Sequence, residues 1–157
     1  MTGSSADFAL SDAERAKFEG QWNQHPGMQH MGLRVDLSKP HELRVYVDPV
    51  LPHHRGGLGT EAVNGAVIAG VFDLAIGLVG HFAARGKRVG TAQLNIQFIR
   101  PVNGDRFDAF ARIVRAGRTL VFAEGDLHDQ EGVLCARCDG IVAIVGEPTA
   151  PGEGRAL

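Results

Sequence analysis

The stretch NGAVIAGVFDLAIGLVGHFAARG, residues 64–86, decides the fold of this chain. It predicts one long apolar helix that begins near residue 60 or 64, ends near residue 85 and carries a carboxylate, Asp73, near its middle. About 20 apolar residues are enough to cross a bilayer, but a charge at the centre of a span costs roughly 2.5–3.5 kcal/mol, and glycines dilute the hydrophobicity. We therefore expect the core helix of a soluble protein, with no membrane partner.

The composition is typical of one globular domain. The chain has 157 residues, of which 44% are hydrophobic and 22% charged, and its formal net charge is −2. These values are close to globular averages, and there is no block of Lys and Arg, so no nucleic-acid partner is expected. The N-terminus lacks the basic head and apolar segment of a secretory signal, which favours a cytoplasmic location.

Two cysteines, Cys135 and Cys138, form a CxxC sequence inside a predicted strand. A metal or redox role is one interpretation, and a pair of inert thiols in a reducing compartment is the other. Residues i and i+3 of a strand point to opposite faces, and no second pair or spaced histidine completes a zinc motif. We favour inert thiols and expect no metal site.

Turn signals and apolar periodicity divide the rest of the chain. A short helix is predicted from Ser11 to Asn23, capped by Ser11 with Glu14 three residues later, and ended by His25-Pro26-Gly27. The predicted strands are Met31–Leu37, His41–Val47, Thr91–Phe98, Arg106–Arg115, Thr119–Leu127 and Val133–Val145.

The order of these elements predicts an α+β fold in which an antiparallel sheet wraps around one long central helix. The last four strands are joined by short turns and are expected to be antiparallel neighbours. We assign residues 1–30 to an N-terminal helical extension, 31–146 to the main domain and 147–157 to a flexible tail.

Asp73 has two interpretations. It is either a structural carboxylate on a narrow polar stripe or a catalytic group, and since an unpartnered buried carboxylate is costly, some group must face it. Gly65 follows Asn64, a plausible N-cap, and a glycine in the first turn of a helix leaves its N–H accessible. That N–H, with the helix dipole, can stabilise an oxygen that gains negative charge, although close backbone packing also explains a glycine there.

Gly65 and Asp73 are eight residues apart (73 − 65 = 8), or roughly 12 Å along a helix. A general base and an oxyanion donor must both reach one reacting group within about 3 Å, so the two residues of one straight helix cannot act together. A second copy of the helix, antiparallel in a two-fold homodimer, would bring Gly65 of one subunit to Asp73 of the other.

Three segments together resemble the hotdog-fold acyl-CoA thioesterases of the phenylacetate-degradation type. They are VNGAVIAGVFDLAIG, GTAQLNIQFIRPVNGD and VRAGRTLVFAEGDLHDQEGVLCARCDG, and the resemblance runs from about Leu33 to Val145. The combination carries it: an Asn-Gly helix start, an Asp eight residues after the Gly, then a strand with Asn95, Phe98 and Pro101. The resemblance implies a hotdog fold, an acyl-CoA substrate, a homodimer and a homotetramer as the larger assembly.

The resemblance also implies roles for single residues. Asp73 matches the carboxylate that acts as general base or nucleophile on the thioester, and Gly65 matches the backbone N–H that polarises the carbonyl across the dimer interface. Thr91 matches a hydroxyl that helps to place the attacking water, on the polar face of its strand with Asn95; it can also be an ordinary strand threonine. No separate cofactor is implied, since CoA is part of the substrate.

The chain also departs from the family pattern. Family members often have His-Gly-Gly where this chain has Asn64-Gly65-Ala66, and Leu58 stands where they tend to place an Asn or Gln that contacts the thioester. His54 or Arg55 is a candidate for the missing contact, and Arg118 is similar to positions that meet the CoA end; each can also be an ordinary loop or turn residue. The predicted substrate-binding residues are therefore Asn64, His54, Arg55, Asn95 and Arg118.

Two other functions stay open. One is an acyl-thioester hydratase or dehydratase that uses His53 or His54 from the loop before the helix, and the other is a non-catalytic acyl-CoA-binding module. The acyl group is not specified by the sequence, because its aromatic candidates for a pocket wall are also candidates for the core: Phe72, Phe98 and Phe110, with Ile76.

Overall fold

The computed structural model describes residues 7–8, 10–56 and 59–146. Its helices are α1 (Asp12–Asn23), α2 (Pro26–Met31) and α3 (Gly65–Ala83). Its strands are β1 (Arg34–Asp36), β2 (Leu43–Val47), β3 (Arg88–Phe98), β4 (Phe107–Ala116), β5 (Leu120–Asp129) and β6 (Leu134–Gly146). The predicted tail, 147–157, and Leu58 lie outside the described residues, and the division into extension, domain and tail stays a prediction.

All six strands form one antiparallel sheet in the order β1-β2-β4-β5-β6-β3. The helix α3 packs against β2, β3, β4, β5 and β6. This confirms the predicted α+β fold with a sheet around one long helix. By length and composition α3 could cross a membrane, with a mean hydropathy of 1.9, but half of that window is buried inside the protein.

The helix approaches the sheet closely where glycines face it. A Cβ built on Gly140 of β6 would lie 2.5 Å from the Ile76 side chain, and one on Gly80 of α3 would lie 2.5 Å from Val142. Contacts that short do not occur between real side chains, so both positions need glycine for the helix to lie against the sheet. Phe72, Ile76 and Val79 of α3 are fully buried at this interface.

The prediction that the last four strands are sequential neighbours is wrong for β3. Only β4, β5 and β6 form a continuous meander, whereas β3 pairs with β6 at the edge of the sheet. The connection from Phe98 to Phe107 is the reason, because it is not a tight hairpin turn: Ile99 and Arg100 both donate their N–H groups to the Cys135 carbonyl of β6.

The helix α2 differs from the sequence-based prediction, in which His25-Pro26-Gly27 is a stop signal and the next strand begins at Met31. In the structure these residues begin a helix: the His25 ring Nδ1 accepts a hydrogen bond from the Gly27 N–H at 3.1 Å, and Pro26 takes the first helical position, where a missing N–H costs nothing. Gly32, with φ of +66°, ends α2, and β1 begins only at Arg34.

Candidate active site

The N-terminus of α3 is fixed by Asn64, as predicted. Its Oδ1 accepts a hydrogen bond from the Ala66 N–H at 2.8 Å, and its Nδ2 donates to the Gly56 carbonyl. The Asn64 N–H in turn donates to the His54 carbonyl at 2.9 Å. Among the described residues no acceptor pairs with the Gly65 N–H, so the first amide of α3 is available at the positive end of the helix dipole.

Asp73 is exposed in the single chain, not buried as the apolar context of α3 suggested. It lies on a strip of α3 that the sheet leaves uncovered, together with Gly70 one turn earlier and Ala66 two turns earlier. No described residue of the same chain forms an ion pair or hydrogen bond with the carboxylate. The described part of the chain therefore does not supply the group that was expected to face Asp73.

Asp73 and Thr91 line the same cavity, of about 280 Å³, between α3 and the start of β3. Gly77 lies between them, one turn after Asp73, and a Cβ built on it would be 3.4 Å from the Thr91 hydroxyl oxygen. The remaining walls are mostly apolar: Trp22, Leu74, Leu78, His81, Val89 and Gly90. The structure thus brings together the carboxylate and the hydroxyl that the sequence singled out.

A β-bulge determines the direction of Thr91. Thr91 pairs with Val142 and Gln93 pairs with Ile141, so β3 has one extra residue, Ala92, between two consecutive pairs with β6. Directly opposite residues share a face of the sheet, and Val142 faces α3, which places Thr91 on the helix side.

Asn95 lies on the other face of β3. It is exposed and pairs with exposed Asp139, while its neighbour Leu94 pairs with Gly140, which faces the helix. The prediction that Thr91 and Asn95 share the polar face of one strand is wrong, because strict alternation does not account for the bulge. Asn95 therefore lies away from Asp73 within the protomer.

Gly65 is not in the cavity of Asp73. A Cβ built on Gly65 would lie 3.5 Å from the ring of Phe98, at the far end of β3. The next residue, Ala66, lines a separate cavity of about 280 Å³ with His53, His54, Val67 and residues of α2. Within one chain Gly65 and Asp73, the two predicted catalytic residues, therefore do not share a cavity.

His54 is buried, and both of its ring nitrogens are engaged. Nδ1 accepts from the Leu51 N–H at 2.9 Å, and Nε2 lies 2.7 Å from the Met31 carbonyl oxygen, to which it donates. Burial is the main cause that lowers the pKa of this histidine, and electrostatic repulsion from the neighbouring His53 and Arg55 acts in the same direction. His54 is neutral and ties the loop before α3 to the end of α2.

Arg55 is also engaged with its own chain. It donates to the carbonyl oxygens of Glu61 and Gly104, at 3.0 and 2.9 Å, and forms an ion pair with Asp105 at 2.8 Å. In one protomer these bonds hold the loop before α3 against the segment that leads into β4.

Arg118 is exposed in the turn between β4 and β5. This turn is hydrogen-bonded to β6 through the Thr119 carbonyl and the Ile144 N–H, at 2.9 Å. Ile144 in turn pairs with Val89, a wall of the Asp73 cavity. Arg118 therefore lies at the same end of the sheet as that cavity.

The two cysteines are free and buried. Burial raises the pKa of both thiols, that of Cys138 to about 11, so they are protonated near neutral pH and poor nucleophiles or metal ligands. Within the described part of the chain there is no group of three or more His, Cys, Asp or Glu side chains arranged to hold a metal ion.

Comparison with known proteins places these residues in a family. The family model described as the thioesterase superfamily matches residues 61–136, which include Asn64, Gly65, Asp73 and Thr91. The Halobacterium salinarum protein VNG_1336C, named as a candidate esterase, is 30% identical over 131 residues, covering 79% of this chain and 80% of that protein. The chain belongs to the thioesterase superfamily.

One relative of this chain is named for its substrate. The medium/long-chain acyl-CoA thioesterase YigI of Escherichia coli (strain K12) is 30% identical over 95 residues, covering 52% of this chain and 61% of that protein. The chain therefore matches about three fifths of the length of that relative.

A solved structure confirms the hotdog fold of this thioesterase-superfamily chain. PaaI, from the phenylacetic acid degradation operon of E. coli, superposes with a TM-score of 0.74 at 17% identity and covers 88% of this chain and 100% of the PaaI chain. This is the type of protein that the sequence resembles, and at this identity the likeness concerns the fold alone.

Two cavity residues were missed by the sequence analysis. His81 lies two turns after Asp73, and the spacing Asp73-Gly77-His81 indicates one face of a helix, so this signal was available. Burial lowers the pKa of His81. Trp22 comes from α1, and no local pattern connects it to a carboxylate that is 51 positions later in the superfamily domain (73 − 22 = 51).

Proposed function

We propose that the protein is an acyl-CoA thioesterase that hydrolyses a thioester to a free acid and CoA. The observation that carries the proposal is the shared cavity of Asp73 and Thr91 beside an uncovered strip of α3. Membership of the thioesterase superfamily and the similarity to an acyl-CoA thioesterase support the same reaction.

The proposed site is completed by a second copy of the chain. In an antiparallel pair of α3 helices related by a two-fold axis, Gly65 faces the partner's Asp73 when the axis passes beside position 69, the midpoint of 65 and 73. The residues around that point are small, Ala66, Ala69 and Gly70, and small residues let two helices approach closely. Such an isologous dimer holds two identical sites.

The edge strand β3 supports this assembly. Its residues are only partly covered within the protomer, and Phe98 is 57% exposed although it faces the helix side beside Gly65. The strand β3 has eleven residues, and an exposed edge strand of this length is a template for pairing with another chain. A homodimer in which two copies of α3 and two copies of β3 meet would cover both surfaces.

In the proposed mechanism the acyl carbonyl oxygen accepts a hydrogen bond from the Gly65 N–H of one protomer. The carboxylate of Asp73 from the other protomer takes a proton from water, whose oxygen attacks the carbonyl carbon, and the C–S bond breaks as the CoA thiolate leaves and is protonated. In the other variant the carboxylate attacks directly and water hydrolyses the resulting anhydride. The Thr91 hydroxyl positions the attacking water, and no cofactor is required.

Asp73→Asn tests the proposal. The amide has nearly the shape of the carboxylate but can neither accept the proton nor attack. We expect kcat for thiol release to fall by about 100-fold or more, with binding of acyl-CoA retained. A wild-type protein that releases no thiol from a panel of aliphatic and aromatic acyl-CoAs, or an Asp73→Asn variant with normal kcat, would contradict the proposal.

A further inference from the structure

The helix α1 brings the only tryptophan of the chain, Trp22, into the cavity of Asp73 and Thr91. We propose, on the basis of the proposed function, that Trp22 is the end wall of the acyl pocket and that α1 is the element that limits the length of the acyl group. Three features of the structure support this assignment.

First, α1 spans the open side of the curved sheet. It is hydrogen-bonded to β1, one edge of the sheet, while Trp22 shares a cavity wall with Val89, Gly90 and Thr91 of β3, the opposite edge. Together, α1, α3 and β3 therefore line the cavity that an acyl chain passing Asp73 would enter.

Second, Trp22 is held by its neighbours. Asn23 donates from Nδ2 to the Val35 carbonyl at 2.9 Å and accepts a hydrogen bond from the Val35 N–H at 2.8 Å, so its side-chain amide pairs both backbone groups of Val35 on β1. One turn earlier, Glu19 accepts the Leu37 N–H at 2.8 Å. These three bonds on either side of Trp22 fix the helix, and a wall selects by length only if it does not move aside.

Third, the chemistry of the cavity suits an acyl chain better than the CoA portion. Leu74, Leu78 and Val89 line it together with the indole, and burying apolar surface is what holds a hydrocarbon chain. The phosphates of CoA would meet the negative charge of Asp73 there. The volume of about 280 Å³ lies at the lower end of the range for ligand cavities, about 300–1,000 Å³, so short acyl groups fit best.

The kinetic test compares Trp22→Ala and Trp22→Phe with Phe18→Ala. Phe18 lies one turn earlier on α1 and packs against the Phe82 ring with a centroid distance of 5.7 Å, but it does not line the Asp73 cavity. Discrimination by one methylene in a tight pocket is worth roughly tenfold or more. We expect Trp22→Ala to raise kcat/KM for dodecanoyl-CoA relative to butanoyl-CoA by about tenfold, Trp22→Phe to raise it less, and Phe18→Ala to leave the ratio unchanged.

The binding test uses Trp22 as the probe. Because it is the sole tryptophan, its emission reports on this cavity alone, and the Asp73→Asn variant allows titration with intact butanoyl-CoA. We expect a saturable change of emission, and free CoA should produce a much smaller one.

The outcomes separate this inference from the proposed function. If the wild type hydrolyses acyl-CoA but the Trp22 variants have the chain-length ratio of Phe18→Ala, the proposal that Trp22 is the end wall is wrong and the proposed thioesterase function is retained. If thiol release is absent but Trp22 emission responds to butanoyl-CoA, the proposed acyl pocket at Trp22 is retained and the proposed thioesterase activity is wrong. If neither hydrolysis nor a response is found, both are wrong.

Discussion

The Thr91 hydroxyl oxygen lies 3.4 Å from the point that a Cβ on Gly77 would occupy. Since Gly77 is one turn after Asp73 and lines the same cavity, a residue larger than alanine at this position would fill space beside the Thr91 hydroxyl. The glycine thus leaves room in the cavity that the carboxylate and the hydroxyl share, where we propose that the attacking water binds.

Thr91→Val replaces the hydroxyl by a methyl group of similar size. Among the described residues the hydroxyl has no hydrogen-bond partner, so we expect the free energy of unfolding to change by less than about 0.5 kcal/mol, whereas kcat should fall by roughly 10- to 100-fold. Thr91→Ser keeps the hydroxyl and should retain most of the activity. Steady-state kinetics with chemical denaturation checks this, and equal kcat for Val and Ser would remove Thr91 from the mechanism.

Gly70→Leu tests the proposed dimer. A Cβ on Gly70 meets no atom within 4 Å in the protomer, and leucine is the better helix former by about 1 kcal/mol, so the folded monomer should not be harmed. In the proposed dimer the leucine would hold the two copies of α3 apart. We expect a monomer by light scattering and activity reduced by about 100-fold, since each site would lose its partner group.

Gly20→Leu is the matched control for that experiment. Gly20 is also inside a helix with open space around a Cβ, but it is on α1 and not on the uncovered strip of α3. This variant should keep the assembly and activity of the wild type. A Gly70→Leu protein that remains dimeric and active would contradict the arrangement with small residues at the axis.

Asn64→Ala removes the N-cap of α3 and the bond to the Gly56 carbonyl. Loss of an N-cap costs about 1 kcal/mol, and the Gly65 N–H loses its fixed direction, so we expect lower stability together with a kcat lowered by about tenfold or more. Ser11→Ala also removes a cap, that of α1, where the Glu14 N–H donates to the Ser11 hydroxyl at 3.3 Å. Ser11→Ala should lower stability and leave kcat unchanged. Equal changes of kcat in Asn64→Ala and Ser11→Ala would argue against an oxyanion role for Gly65.

The buried His54 and the partly buried His81 make stability depend on pH. Burial lowers the pKa of His54 and of His81 below the ordinary value of 6.5, so the unfolded chain binds more protons than the folded one in that range. Their contribution is full above about pH 6.5 and is lost as the pH falls through 6.5 towards the folded pKa. Urea unfolding across this range should show the decline.

His54→Gln should be less stable than the wild type at neutral pH and show a shallower decline. His53→Gln changes the exposed neighbour, which is only a lesser cause of the lowered pKa of His54, and should shift the curve much less than His54→Gln does. An unaltered slope in His54→Gln would show that this histidine does not carry the pH dependence.

Local signals were enough to locate most of the helices and strands, and they pointed to several residues of the candidate site. The apolar run 64–86, the Asn64 cap and the capping box of Ser11 and Glu14 depend on residues within one or two turns, and all three are confirmed. The spacing of Gly65 and Asp73 predicted that the two residues lie far apart along α3, because the rise per residue of a helix is fixed.

The direction of Thr91, the pairing of β3 with β6, the exposure of Asp73 and the presence of Trp22 beside it were decided only by the tertiary structure. Each depends on contacts between distant parts of the chain. A bulge exists only relative to the strand it pairs with, and an edge strand is one that has a neighbouring strand on one side only. Periodicity reports which residues share a face of one element, and it carries no information about which other element covers that face.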